Sequence, residues 1–183
     1  MKFSAMRNRN LVYAVTPAGF RINQPALMAE SSTDTPGVVA CPPLIFLGAL
    51  GLGLLLHWWI PVHPFPAWFS RPLGAGLCLV SVTVGIWGST IMRRAGTNVR
   101  PDRPVTALVI DGPFRFSRNP LYLSLTALYL GITLLCDALW PFTTLVPLLA
   151  VVHWRIVLRE ERFLEAKFGD AYRAYKIRVR RWL

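Results

Sequence analysis

Apolar residues fall into four long runs along this chain, and the breaks between them are short, polar or proline-rich. The first run, Pro43 to Ile60, has His57 as its only ionisable group and ends on Trp58-Trp59, the aromatic pair expected where a helix leaves a bilayer. Gly48 and Gly51 thin it where another helix could pack. Residues 61–72 carry four prolines and three aromatics and are read as an interfacial or re-entrant loop. The second run spans Leu73 to Met92 and stops at Arg93-Arg94. The third opens at Pro120, a favoured first helical residue, and ends near Cys136, with Asp137 marking a tight turn. The fourth covers Ala138 to Leu158 and contains Pro141 and Pro147. Runs of this length approach the roughly 20 residues that cross a hydrocarbon core. The predicted fold class is therefore an all-α integral membrane bundle of about four transmembrane helices, followed by a cytoplasmic amphipathic C-terminal helix.

The organisation follows from the same pattern. Residues 1–40 form a mobile polar arm, of which 1–27 read as dispensable because Met28 is a second candidate start. No apolar core with a small-residue cleavage site follows the basic residues directly, so a secretory signal is rejected. Residues 41–158 are the bundle, and 159–183 are the C-terminal helix and basic tail.

Composition sharpens this. The 183 residues are 54% hydrophobic and 16% charged, against about 25% charged in soluble domains. A net charge of +11 raises nucleic acid as a partner, but the placement of the charges excludes it. No Lys or Arg lies between Arg21 and Arg71, Arg71 and Arg93, or Arg118 and Arg155. With four spans, the positive-inside rule puts both termini and the 93–118 connection in the cytoplasm, with Arg71 alone among the basic residues on the other side. Cys41, Cys78 and Cys136 are odd in number, lack metal spacing and read as small buried apolar residues; no metal site is expected.

The polar chemistry gathers in two clusters at that cytoplasmic end. The first is Asp111-Gly112-Pro113-Phe114-Arg115-Phe116-Ser117-Arg118-Asn119-Pro120-Leu121-Tyr122. Its Asn-Pro opens a helix whose first amides lack internal partners and favour a negative group, beside an arginine able to bind carboxylate or phosphate. The bland reading is a basic membrane anchor. The second cluster is Arg155 to Leu164, with Glu160 and Glu161 adjacent at a helix end where charges are costly unless paired or used. Glu160 shares a stripe with Leu164 and Phe168, continuing approximately through Tyr172 and Tyr175, while Glu161 points about 100° away. Glu160 is thus expected to be the buried carboxylate, with an ion pair to Arg155 or Arg159 as the bland alternative. A short turn between the third and fourth helices would bring the two clusters together. The pocket would suit a zwitterionic ligand with a flat apolar group and would open sideways to lipid. His57 reads as structural, His63 as part of an exposed loop, and His153 as a candidate pocket residue. No Walker motif or Gly-rich loop after a strand is present, which excludes a Rossmann-type fold.

Gly96-Thr97 with Pro101, then Gly112 through Tyr122, then Glu160-Glu161-Arg162-Phe163-Leu164 with Phe168-Gly169-Asp170-Ala171-Tyr172-Arg173-Ala174-Tyr175 and Val179, resemble membrane methyltransferases. These are the isoprenylcysteine carboxyl methyltransferases and the phospholipid (phosphatidylethanolamine) N-methyltransferases. The resemblance covers about Pro43 to Leu183. It implies an enzyme using S-adenosylmethionine at the cytoplasmic face, with Arg118, Asn119, Pro120 and Tyr122 on one side of the cofactor and Glu160 and Glu161 on the other. It also places Gly96 and Thr97 in a cofactor segment and Leu130 and Gly131 near the adenine or methionine part. Arg118 and Glu160 are the candidate catalytic residues. Asn119 stands where many members have His, and Ser124 where a Gly is common, so the acceptor stays open between a carboxylate and an amine. Membrane lipids and a lipid, prenylated or other lipophilic acceptor are the implied partners. A non-catalytic adaptor that kept the fold, or an NADPH-dependent reductase of related fold, are the alternatives.

Overall fold

The computed structural model describes residues 41–99 and 105–183. The expected 1–40 arm, its dispensable first 27 residues, and Pro101 of the resemblance lie outside the described residues. Among those described, all regular structure is helical: α1 (Pro42–Trp59), α2 (Ala67–Arg94), a 3-10 turn (Gly112–Arg115), α3 (Pro120–Leu135), α4 (Trp140–Val151), a π-helical segment (Val152–Val157) and α5 (Leu158–Arg178).

Proline and helix-end chemistry set these boundaries. α1, α3 and α4 each open with Pro at one of the first two positions, where the missing amide costs nothing. α2 ends in a Schellman motif: Gly96 takes φ +74°, its amide donates to Arg93, and the Thr97 amide donates to Met92 at 3.1 Å. Asp137 closes α3 in the same way at φ +46°, with the Ala138 amide donating to Thr133. Its carboxylate also accepts from the Phe65 amide at 3.0 Å, which ties the α3–α4 turn to the α1–α2 connection.

Three helices are long and apolar enough to cross a membrane: Pro42–Trp59, Ala67–Arg94 and the continuous Trp140–Arg178. The last carries ten charged residues in its α5 half, so its spanning part is the first half and α5 lies beyond it. α3 is apolar but has 16 residues, a rise of about 24 Å against a core of roughly 30 Å. The expected four spans thus become three of full length and one shorter helix. A second difference concerns residues 61–72: the helix begins at Ala67, and Trp68 to Pro72 form its first turns rather than a loop. Pro72 is the sixth residue of α2, so it removes the bond its amide would make to the Trp68 carbonyl, and the helix continues through it.

α2 packs on α3 and α1 on α4, with α3 also touching α1 and α4. The α2–α3 seam is close because Gly74 and Gly131 face one another; a Cβ on Gly131 would lie 2.6 Å from Cys78 Sγ and 2.8 Å from the Gly74 carbonyl. Phe46, Leu50, Tyr129, Leu145, Leu148 and Val152 fill the centre. There the Tyr129 hydroxyl meets the Pro141 carbonyl at 2.9 Å and Thr144 Oγ1 at 2.7 Å, so its polar end is satisfied. Trp58, Trp59 and Trp68 are more than 70% exposed at one end of the bundle, the disposition of an interfacial aromatic belt. At the opposite end the start of α1, the end of α2, the start of α3 and the start of α5 converge.

Candidate functional site

That convergence encloses a cavity of about 360 Å³, within the range of small-ligand sites. Most of its wall is apolar, from Pro42, Pro43, Val105, Leu108, Phe114 and Leu125. Its described charged residues are Arg118, Glu160 and Glu161.

Each is positioned by a local device. Gly112, at φ +62°, lets the chain turn against Trp87 and Ile91 of α2, with no room for a side chain. The 3-10 turn that follows is anchored by Tyr175, whose hydroxyl donates to the Phe114 carbonyl at 2.7 Å. Ser117 Oγ accepts the Asn119 amide at 3.1 Å and so fixes the entry to α3. Asn119 does not cap that helix with its own side chain; Nδ2 donates instead to the Arg181 carbonyl at 3.0 Å. The Arg118 amide donates to the Arg180 carbonyl, also at 3.0 Å. Of the expected Lys176–Leu183 basic tail, Lys176 to Arg178 end α5 and residues 179–183 fold back and pack along the α3 start.

The two acidic neighbours have different fates. Glu160 Oε1 accepts a 2.8 Å hydrogen bond from the Tyr122 hydroxyl, which joins α5 to α3 across the cavity. Burial pushes its carboxyl up to about 7, and the Tyr122 hydrogen bond draws it back only partly. Glu161 is gripped by Arg181, with Nε on Oε1 at 2.9 Å and Nη2 on Oε2 at 2.8 Å. Arg118 Nη1 adds a 3.2 Å ion contact to Oε1. The Glu161 contact raises the Arg181 guanidinium above its ordinary value. Glu161 is the more buried of the two residues, at 6% exposure, whereas the helical stripe named Glu160. The stripe records only what the bundle covers; the returning residues 179–183 cover the next face of α5, which the pattern cannot show.

Arg118 is itself nine-tenths buried. Among the described residues its Nε and Nη1 have no hydrogen-bond partner, the Glu161 contact being an ion pair without hydrogen-bond alignment. A buried guanidinium with unfilled donors is costly unless something accepts from them. Tyr172, beside it, has its hydroxyl pushed up to about 12 by burial and by Glu161, with Arg118 pulling the other way.

The structure brings Arg118, Asn119, Pro120, Tyr122, Glu160 and Glu161 together on the cavity wall. It does not place the other four there. Gly96 and Thr97 form the Schellman end of α2, and Thr97 Oγ1 accepts the Thr106 amide at 3.2 Å, while the neighbouring Asn98 and Val99 do reach the cavity. Gly131 makes the α2–α3 seam, and Leu130 packs on the central core. His153 lies against Trp154 and Trp182, off the cavity wall; His57 meets His63 edge to face at the far end. Cys41, Cys78 and Cys136 are free but not buried as expected: Cys41 and Cys78 are half-buried and Cys136, at the end of α3, is exposed; no metal-binding group occurs among the described residues. Sequence reasoning missed Ser89, Met92 and Gly85 of α2, which line the cavity without any polar motif to mark them.

The chain is similar to known proteins in two ways. An uncharacterized protein of Haemophilus influenzae is 41% identical over 63 residues, which are 34% of this chain and all of that protein. No solved structure matches. The family model described as phospholipid methyltransferase matches residues 69–171, from the first turn of α2 to the middle of α5, and so includes Arg118 and both acidic residues. The chain belongs to the phospholipid methyltransferase family.

Proposed function

We propose that this protein is an S-adenosylmethionine-dependent methyltransferase that passes a methyl group to a lipophilic acceptor, an isoprenylcysteine-like carboxylate or a phospholipid amine. The observation that carries the reading is the buried Arg118, with donors to spare, in the same apolar cavity as the Glu160 carboxylate. A zwitterionic amino acid moiety on a flat nucleoside matches that set: Arg118 accepts its carboxylate as partner, Glu160 takes its ammonium or ribose diol, and the apolar walls take the base. The methyl donor supplies an electrophilic carbon on a sulfonium, ready for in-line displacement. The chain's own residues hold and orient, and the apolar walls exclude water. A carboxylate acceptor needs no base. An amine acceptor must first lose a proton, and Glu160, titrating near neutral pH, is the group in place to take it.

The acceptor reaches this cavity from the side. Gly85 and Ser89 of α2 line both the cavity and a shallow groove on the outer face of the same helix, so the wall there is one small residue thick. The positive-inside rule puts this end of the bundle in the cytoplasm.

The test is isothermal titration of the detergent-purified protein with S-adenosylhomocysteine, with NADPH as competitor. Saturable binding untouched by NADPH is expected. Displacement by NADPH would transfer the fold to reductase chemistry, and no binding to a folded sample would leave a non-catalytic adaptor.

A further inference from the structure

Two arginines share one carboxylate at the edge of this cavity, and they share it unequally. Arg181 engages both oxygens of Glu161 in a fork, at 2.9 and 2.8 Å. Arg118 reaches Glu161 through one 3.2 Å contact, to the oxygen that Arg181 Nε already occupies, and otherwise bonds the Tyr172 hydroxyl. The buried partner is therefore the poorly bonded one: Arg118 is nine-tenths buried, while Arg181 is a third exposed. A guanidinium beside a lone carboxylate ordinarily closes a bidentate pair with it. Here that geometry is already taken, and Arg118 Nε and Nη1 stay unbonded among the described residues.

We infer that Arg181 is a positioning residue: by saturating Glu161 it keeps the donors of Arg118 available to an anionic group in the cavity. The same segment fixes where Arg118 sits. The Arg180 carbonyl accepts the Arg118 amide, and the Arg181 carbonyl accepts from both Ser117 Oγ at 3.2 Å and Asn119 Nδ2. Residues 180–181 thus hold the Arg118 backbone through main-chain carbonyls and free its side chain through the Arg181 guanidinium. The two actions are separable, because substituting Arg181 removes the second and leaves the first. Without Arg181, Arg118 is the one cation among the described residues paired with Glu161, and Glu161 captures it.

This rests on the proposed reading that Arg118 receives a ligand carboxylate, and the test separates the two. Titrate S-adenosylhomocysteine and its decarboxylated analogue, which keeps the ammonium and lacks only the carboxylate, into wild type, Arg181→Gln, Arg181→Lys and Arg181→Gln/Glu161→Gln. Arg181→Gln should weaken S-adenosylhomocysteine about tenfold or more, the loss of a charge-assisted pair, and the decarboxylated analogue less than twofold. The double variant, which removes the captor as well as its keeper, should restore S-adenosylhomocysteine to within about threefold of wild type. Arg181→Lys cannot fill both oxygens and should fall between; it also serves if Arg181→Gln does not fold. Equal weakening of both ligands, or a double variant no better than the single one, overturns the inference and leaves Arg181 a mere clamp. Wild type that binds neither ligand overturns the methyl-donor reading, and this inference with it.

Discussion

Replacing Glu160 with glutamine should weaken cofactor binding while making the fold more stable, a pairing that only a functional carboxylate would give. Glutamine keeps the oxygen that accepts from Tyr122 and removes the charge. In the folded protein burial lifts the carboxyl from 4.5 up to about 7. An unfolded chain releases this proton near 4.5, while the folded chain holds it to about 7. The folded state binds more protons through that window, so stability falls as pH rises across it and is level above it. The gap of roughly 2.5 pH units, at about 1.4 kcal/mol each, sets a ceiling of about 3.5 kcal/mol on the cost of keeping this charge buried. Glu160→Gln should recover up to that amount at pH 8 and nothing near pH 4.5.

Binding should move the other way. A ligand ammonium or diol prefers the ionised form, so wild-type affinity for S-adenosylhomocysteine should climb toward tenfold per pH unit below 7 and level off above. Glu160→Gln should flatten this profile and lower affinity at pH 8 by about ten- to a hundredfold, the worth of a charge-assisted hydrogen bond of about 1.5–3 kcal/mol. The assays are calorimetric titration from pH 6 to 8.5 and thermal unfolding in the same detergent at pH 5 and 8. Wild-type affinity in the variant at pH 8 would remove Glu160 from the ligand site. Loss of stability at pH 8 would mean that the carboxylate holds the fold and is not there for a ligand.

Other expectations test the geometry around this centre. Gly131→Ala drives a Cβ to 2.6 Å from Cys78 Sγ and 2.8 Å from the Gly74 carbonyl; it should cost about 1–3 kcal/mol of stability in detergent unfolding, yet leave S-adenosylhomocysteine affinity of the folded fraction unchanged. Gly51→Ala, with nothing within 4 Å, is the control and should be neutral or slightly stabilising; a Gly131→Ala protein that is equally stable would refute the seam. Gly85→Leu starts a side chain 3.4 Å from Ser124 Oγ, on the cavity side of the α2 wall, so transfer of labelled methyl to vesicles containing phosphatidylethanolamine, or to farnesylcysteine in detergent, should show a raised acceptor KM. Unchanged KM for both acceptors would mean that entry lies elsewhere.

The helices and the place where polar chemistry gathers were legible in the sequence because each depends on local physics. Apolar run length marks the spans, Pro120 marks the start of α3, and charge-free stretches mark what must stay in lipid. The Tyr122–Glu160 contact follows from an antiparallel α3 and α4 joined through Asp137, a short turn that the sequence displays openly. What stayed hidden is non-local. Proline in 61–72 suggested a loop, but Pro72, sixth in α2, removes one backbone bond without ending the helix. The π-helical Val152–Val157 carries no compositional mark at all. Gly96 matches a family motif and also serves as a helix terminator, and only coordinates tell the two roles apart. Gly169 interrupts α5 at φ +51°, so the stripe from Glu160 to Tyr175 is carried by two helical pieces rather than one.

The electrostatics of the cavity bear on which cofactor it suits. Its described wall holds one cation, Arg118, and two carboxyl groups, Glu160 and Glu161. Arg181, reaching in from the 179–183 segment, neutralises Glu161 through both oxygens and leaves one of each sign, Arg118 and Glu160, to face a ligand. Among the described residues, a dinucleotide bearing several phosphate charges would meet one guanidinium and, at neutral pH, a partly ionised carboxylate opposing it; burying surplus negative charge would cost several kcal/mol per unpaired ion. An amino acid moiety with one carboxylate and one ammonium leaves no charge unmatched. The charges of the described residues therefore match the zwitterion of the proposed reading, and they do so only because residues far apart in sequence, Glu161 and Arg181, cancel one another before any ligand arrives.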